Sequence, residues 1–257
     1  MRFFLALMKT SIRSSISLKM VFLIEAFLMI GNNFIFLAIW WLFFNQFQTV
    51  GGWSFHDMIV LNCVVSGGYG ISRICFGGIK DFSKTIIMGN LDIFMTQPKD
   101  ILLHIVCSKS QSKGFGHLIT AILLFAFDFQ ALAYKLPLIL LFILGGALVF
   151  TAFAVIVHSL PFWFGAIDAV TNKYSDSILV FVKYPVNIYS GVFQLMMFTL
   201  FPAGIIGFLP VEIVRAFTWA YFFAFIFSVV GFIALAYFVF YRGLKRYESG
   251  NQFGVRF

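Results

Sequence analysis

Long stretches nearly free of charged residues constrain this chain more than any other feature. A helix needs about 20 consecutive apolar residues to cross the roughly 30 Å hydrocarbon core of a bilayer. Five runs reach that length: Val21–Phe44, Asp57–Ile79, Pro137–Val157, Ile178–Met197 and Phe217–Tyr241. A weaker sixth, Gly114–Leu132, is interrupted by His117 and Asp128. Backbone groups in lipid have no water to bond, so a span is either a helix or part of a closed barrel. Barrel strands alternate polar and apolar residues over about 10 positions, whereas these runs are longer and apolar on every side. The expected fold is therefore all-α: one polytopic membrane domain over residues 1–257 with six transmembrane helices. Composition agrees. Charged residues make up 11% of the chain, against about 25% in soluble domains, so a water-soluble globule is excluded. The 61% hydrophobic content rules out disorder, and Cys63, Cys75 and Cys107 are too few for a disulfide framework.

Positive residues resist translocation, so their distribution sets orientation. With six spans and a cytoplasmic N-terminus, Arg2, Lys9, Arg13, Lys19, Lys80, Lys84, Lys99, Lys109, Lys113, Lys173, Arg242, Lys245, Arg246 and Arg256 all fall inside. Lys135 and Arg215 fall outside, and Arg73 and Lys183 lie within spans. Both termini are expected in the cytoplasm. The net charge of +8 then faces anionic headgroups, where each surface Lys or Arg is worth about 1 kcal/mol. It points to membrane lipids as partners and not to nucleic acid. The first apolar stretch is too long for a signal-peptide core and no A-x-A-like site follows, so it is expected to be retained.

Three segments punctuate the spans. In residues 1–20, Phe4, Leu5, Met8, Ile12 and Ile16 recur at helical spacing while Lys9, Arg13 and Lys19 fall elsewhere around the helix. This predicts either an interfacial helix touching a cytoplasmic partner or a plain positive flank. Residues 80–113 form the largest polar loop. Within Lys80–Asp100, Asp81 or Ser83 is a candidate cap for one short helix, Asn90 for a second from Leu91, and Pro98 ends the second. The stretch Tyr184–Val211 is too long for one upright span and holds Pro185, Pro202 and Pro210. It predicts a span ending near Phe198–Pro202 and a re-entrant hairpin over about residues 198–217 dipping from the outer face, or else one tilted, kinked span.

Catalytic chemistry is missing from the sequence. There is no Gly-Lys pair, hence no phosphate-cradling loop, and no H-E-x-x-H. His56, His104, His117 and His158 are scattered over different segments, which speaks against a zinc site. His158 reads as packing more readily than as a base. A secondary transporter or channel, the main alternative, needs a coupling-ion site, for which Glu25, Asp128 and Arg73 are the candidates. An intramembrane enzyme lacks any base–nucleophile pair. Arg73 lies about two turns from the inner end of its span and either snorkels or needs a partner or polar cavity. Asn32, Asn33 and Asn62 are the polar residues nearest mid-membrane, suited to interhelical hydrogen bonds or to lining a path. The pairs Gly67–Gly68, Gly77–Gly78 and Gly145–Gly146 permit close helix approach.

In four places the sequence resembles the type 2 permease subunits of ABC exporters, in particular the branch encoded as paired permeases beside one ATPase. They are GNLDIFMTQP (Gly89–Pro98), VKYPVNIYS (Val182–Ser190), FPAGIIGFLPVEIV (Phe201–Val214) and YRGLKRYESGN (Tyr241–Asn251). The resemblance implies a non-catalytic subunit of a bacterial plasma membrane exporter with no cofactor of its own. A second permease, either the same chain or a paralogue, would complete the path, and two copies of a separate ABC ATPase would bind below. Lys80–Asp100 would match the coupling helix, with Gly89, Asn90, Leu91, Asp92 and Ile93 at the ATPase contact, while Asn32, Asn33, Asn62 and Arg73 are the path candidates.

Overall fold

The computed structural model describes residues 2–247; residues 248–251 of the C-terminal motif and Arg256 lie outside them. No strand forms among the described residues, and one isolated bridge joins Val50 and Trp53. Two helices open the chain: α1 (Arg2–Ser17) and α2 (Lys19–Gln46), separated by a break at Leu18. Next comes α3 (Phe55–Cys75), whose Asp57 carboxylate accepts from the Ser54 N–H at 2.8 Å, the back-bond of a capping box. A 3₁₀ turn (Gly77–Asp81) leads into the short α4 (Phe82–Ile87), α5 (Asp92–Met95) and α6 (Ile101–Cys107). After α7 (Lys113–Phe127) the chain breaks at Asp128, forms α8 (Phe129–Leu132) and enters α9 (Leu136–His158). The one-turn α10 (Pro161–Phe164) precedes α11 (Asp168–Val182). Then α12 (Val192–Thr199) turns by 81° into a π-helical segment (Gly204–Phe208) that runs on as α13 (Leu209–Arg215). The last helix is α14 (Trp219–Leu244).

Among the described residues four helical stretches are long and apolar enough to cross a membrane, α2, α3, Phe129–Phe164 and α14, and a fifth if the bent pair α12–α13 counts as one. Among them α3 is the hub: 89% of its apolar window is buried, against 17% for α2 and α14. It packs along α7 and α9; α2 covers α7, and α14 and α11 cover α9. Glycine sets these approaches. A Cβ added at Gly70 would lie 2.8 Å from the Leu118 backbone N, and one at Gly145 would lie 2.5 Å from the Phe225 ring. The fully buried rings of Trp53, Phe142 and Phe225 sit in the central core.

Two expected spans take a different form. Gly114–Leu132 is not one helix, because α7 stops after 15 residues at Asp128, which pairs with His56. Nor does Ile178–Met197 form a helix. The helix there starts earlier, at Asp168, and ends at Val182. Pro185 lacks an N–H and keeps the residue before it out of the α region, and Gly191 takes a φ of +60°, which restarts the chain as α12.

At the break between α12 and the π segment, Phe201 packs on Phe181 (ring centroids 4.5 Å apart) and on Tyr174, whose hydroxyl donates to the Leu200 carbonyl at 3.2 Å. From there the chain returns to the loop before α3, where Trp53 Nε1 donates to Glu212 at 2.7 Å. Arg215 lies 3.5 Å from Asp57 and donates to the Gly52 carbonyl, while Lys135 donates to the Val214 carbonyl. The contacts of Trp53, Arg215 and Lys135 gather at the bundle end opposite α4–α6, whereas Tyr174 lies one turn from Thr171, which bonds Ser83 of α4.

Candidate functional site

Helices α4–α6 close the other end, and their sequence explains how they are held. Phe82 and Leu91 are fully buried in a second core with Val106 of α6, Ala152 and Val155 of α9, and Phe240 of α14. Gly89 makes the turn between α4 and α5 with a φ of +69°, a conformation that side-chain-bearing residues rarely adopt. Asp81 holds the N-cap position of α4 as expected, but its side chain makes no capping bond there and pairs with Lys109 at 2.7 Å. The second expected cap differs: α5 begins at Asp92, with Leu91 and not Asn90 at its cap. Asp100 does cap α6, accepting from the Leu103 N–H at 2.7 Å.

Of the five residues expected at a partner contact, Leu91 is a core anchor, Asn90 is exposed and Ile93 is 64% exposed. Gly89 is half-buried, and Asp92 lies close enough to Tyr247 that its charge, after burial, raises that phenol. Met95 is also exposed, so α5 offers an outward apolar surface on an inward-anchored turn.

Ser83, expected as a cap, is instead a buried knot. Its hydroxyl lies 2.9 Å from His158 Nδ1 and 2.8 Å from Thr171 Oγ1. One side chain thus joins α4 to the end of α9 and the first turn of α11. His158 is hydrogen-bonded packing, as the sequence suggested. Ser11 of α1 adds a further tie, donating to the Ser108 carbonyl at 2.8 Å.

Inside the bundle a polar seam runs through four helices. Asn62, Ser66, Tyr69 and Arg73 recur at 4-3-4 spacing and share one face of α3. Arg73 does not snorkel: it is buried, 4.8 Å above the Tyr69 ring, and pairs with Asp176 of α11 at 3.2 Å. The rings of Tyr69 and His117 of α7 meet nearly at right angles, centroids 4.9 Å apart. Asn33 of α2 donates from Nδ2 toward His117 Nδ1 (3.1 Å) and Thr120 Oγ1 (3.3 Å) and accepts from Lys183 Nζ at 2.8 Å. Lys183 also lies 5.1 Å from the Phe36 ring. Both ends of this chain of contacts are on α11, at Asp176 and at the residue following Val182.

Asn33 and Arg73 are therefore brought together through His117 and Tyr69. Asn62 is buried on the same α3 face, but its amide donates locally to the Met58 carbonyl, and Asn32 is exposed on α2. Sequence reasoning missed Asp176, His117, Ser83 and Lys183 as members of these sites. For Lys183 a signal existed, a lone cation in an otherwise uncharged stretch; for Ser83 there was none. Asp176 is half-exposed, so the seam opens at its α11 end.

Among the described residues no group of three His, Cys, Asp or Glu is placed to hold a metal ion. A family model described as ABC-2 family transporter protein matches residues 27–251. No curated protein and no solved structure matches the chain.

Proposed function

The chain belongs to the ABC-2 transporter family and is a multi-pass permease subunit of an ABC transporter, and from that premise we propose how it works. It acts as an exporter subunit in a bacterial plasma membrane, with both termini and α4–α6 in the cytoplasm. A second permease, the same chain or a paralogue, completes the path. Two copies of a separate ATPase dock below, against α5 and the turn at Gly89–Asn90.

The observation that carries this reading is the mounting of α4–α5. Leu91 and Ser83 fix the unit to α9, α11 and α14, while Ile93 and Met95 face away from the bundle. A rigid element of this kind passes rigid-body motion of a docked partner to the helices it is joined to. Motion would reach α11 through Thr171, and α11 carries the open end of the seam at Asp176. The path then runs along the outward faces of α2 and α11, with Asn32 and Asp176 on it and Asn33 and Arg73 supporting from behind. The bent α12–α13 pair, entering and leaving at the far end, acts as the re-entrant hairpin that closes the path there.

A self-sufficient transporter finds less support. Asp128 is engaged with His56, and Glu25 lines a cleft with Lys80 and Lys113, so neither supplies an acid in the seam. The test is co-purification of the chain with its ATPase and transport assays in vesicles. Ile93→Asp is expected to uncouple ATP turnover from transport. Full transport by this chain without any ATPase, or mapping of Asp92 to the external side, overturns the proposal.

A further inference from the structure

Between α6, α9 and α14 lies a cavity of about 180 Å³ that the proposed transport path does not use. Leu103 and Val106 of α6, Leu148 and Ala152 of α9, and Ile233 and Ala236 of α14 form its walls. Its one hydroxyl wall residue besides Tyr237 is Thr151, whose oxygen is already committed to the Ala147 carbonyl and to Ser72, both at 2.8 Å. A polar occupant would find almost nothing to bond, and a helix, about 10 Å or more across, is too wide. A slender apolar chain suits the shape and the chemistry.

Two further observations say where such a chain comes from. Exposed Leu140, Leu144 and Leu148 form a stripe at four-residue spacing along α9 that runs into the cavity at Leu148, so the cavity is continuous with the lipid-facing surface of this membrane protein. At its mouth Tyr237 stacks on Tyr241, whose hydroxyl donates to Asp100 at 2.8 Å. That carboxylate is occupied on both oxygens, since the other caps α6. Lys99, next in sequence to Asp100, and Arg242, next to Tyr241, are both exposed, and the Lys99 ammonium lies 5.4 Å from the Phe3 ring; two cations set against the one carboxylate leave a net positive charge beside the mouth that suits a phosphate.

We infer that this cavity binds one acyl tail of an anionic phospholipid, with its headgroup against Lys99 and Arg242. The tail fills the space between α6 and the spans, so that the α4–α6 unit moves with α9 and α14 without a compressible gap. Small side chains at Ala152 and Ala236 are what leave room for it.

The experiment uses the full chain in vesicles of phosphatidylglycerol and phosphatidylcholine, with no other amphiphile, and a trace of either lipid carrying a diazirine in its acyl chain. After photolysis, labelled peptides are mapped by mass spectrometry. Labelling around Val106 and Ile233 is expected to exceed that around Leu144 and to be stronger from phosphatidylglycerol. It should fall by more than about tenfold in Ala236→Phe, where a ring takes the place of several buried methylenes, while Leu144 labelling holds. Ala152→Leu gives the same reading if the first variant does not fold. The double variant Lys99→Gln, Arg242→Gln should abolish the preference for phosphatidylglycerol while leaving tail labelling in place. Cavity labelling no stronger than at Leu144, labelling unchanged in the filled variants, or labelling that needs a further added amphiphile overturns the inference.

Discussion

Lys183 Nζ donates to Asn33 Oδ1 at 2.8 Å, and both side chains are buried in the bundle. A buried cation thus rests on a neutral acceptor, with the Phe36 ring as its other contact. The bond closes the polar seam at the end of α11 and tethers that helix to α2.

Removing the acceptor is expected to cost more than removing the charge. Asn33→Ala leaves the ammonium buried without a hydrogen-bond acceptor, only the Phe36 ring remaining beside it, a loss of about 3–5 kcal/mol. Lys183→Met keeps the length of the side chain and removes the ion, leaving only the neutral Asn33 oxygen without its donor, so the loss is smaller, about 1–3 kcal/mol. Thermal unfolding of the solubilised chain orders the two; equal losses would argue against a buried, acceptor-dependent cation.

Neighbours on the α4–α5 turn are expected to separate stability from partner binding. Leu91→Ala opens a cavity in the second core and should cost about 2–5 kcal/mol. Ile93→Asp changes an exposed position and should shift stability by no more than about 0.5 kcal/mol. Only the second should lose a docked ATPase in co-purification from an intact fold.

Ser83→Ala removes the hydroxyl shared by His158 and Thr171, leaving two buried polar groups short of a partner. A loss of about 1–3 kcal/mol is expected. Ser83→Thr, which retains the oxygen, should recover part of it. Chemical denaturation of the three proteins reads the difference.

Glycines in the bundle fall into two classes. Gly70→Ala places a methyl group against the α7 backbone and should destabilise by about 1–3 kcal/mol. At Gly31 nothing lies within 4 Å of the added carbon, so Gly31→Ala should stabilise α2 by about 0.5–1 kcal/mol. Opposite signs in melting temperature are the expected result.

His104 of α6 is buried between the rings of Phe3 and Phe94, with Nδ1 unpartnered, and burial lowers its pKa. A lowered imidazole pKa means the unfolded chain takes up the proton first. Its stabilising contribution is therefore complete above the ordinary histidine pKa of about 6.5 and is lost as pH falls below it. Melting temperature measured from about pH 8 to about pH 5 should drop less in His104→Leu than in the parent.

Much of the fold was legible because membrane insertion leaves marks one residue at a time. The nearly uncharged runs that became α2, α3, α9 and α14 follow from the cost of placing charge in hydrocarbon, and α4 and α5 follow from helical spacing with Pro98 as punctuation. The two misread spans differ in cause. Asp128 is paired with His56, far along the chain, and a window of hydropathy cannot register such a partner, whereas the break after Val182 is local, made by Pro185 and Gly191.

By itself, then, the sequence determined that this is an all-helical membrane protein, where most of its crossings lie, and which loop carries the α4–α5 turn. Periodicity and transfer energy are local properties, and the chain states them directly. Tertiary structure alone decided that Arg73 is paired with Asp176 and that Leu91 faces inward. It also decided that Ser83 ties three helices together. These depend on which side chains meet across tens of residues, and hydrogen bonds and ion pairs act only over a few ångströms, so they exist only once the helices have packed.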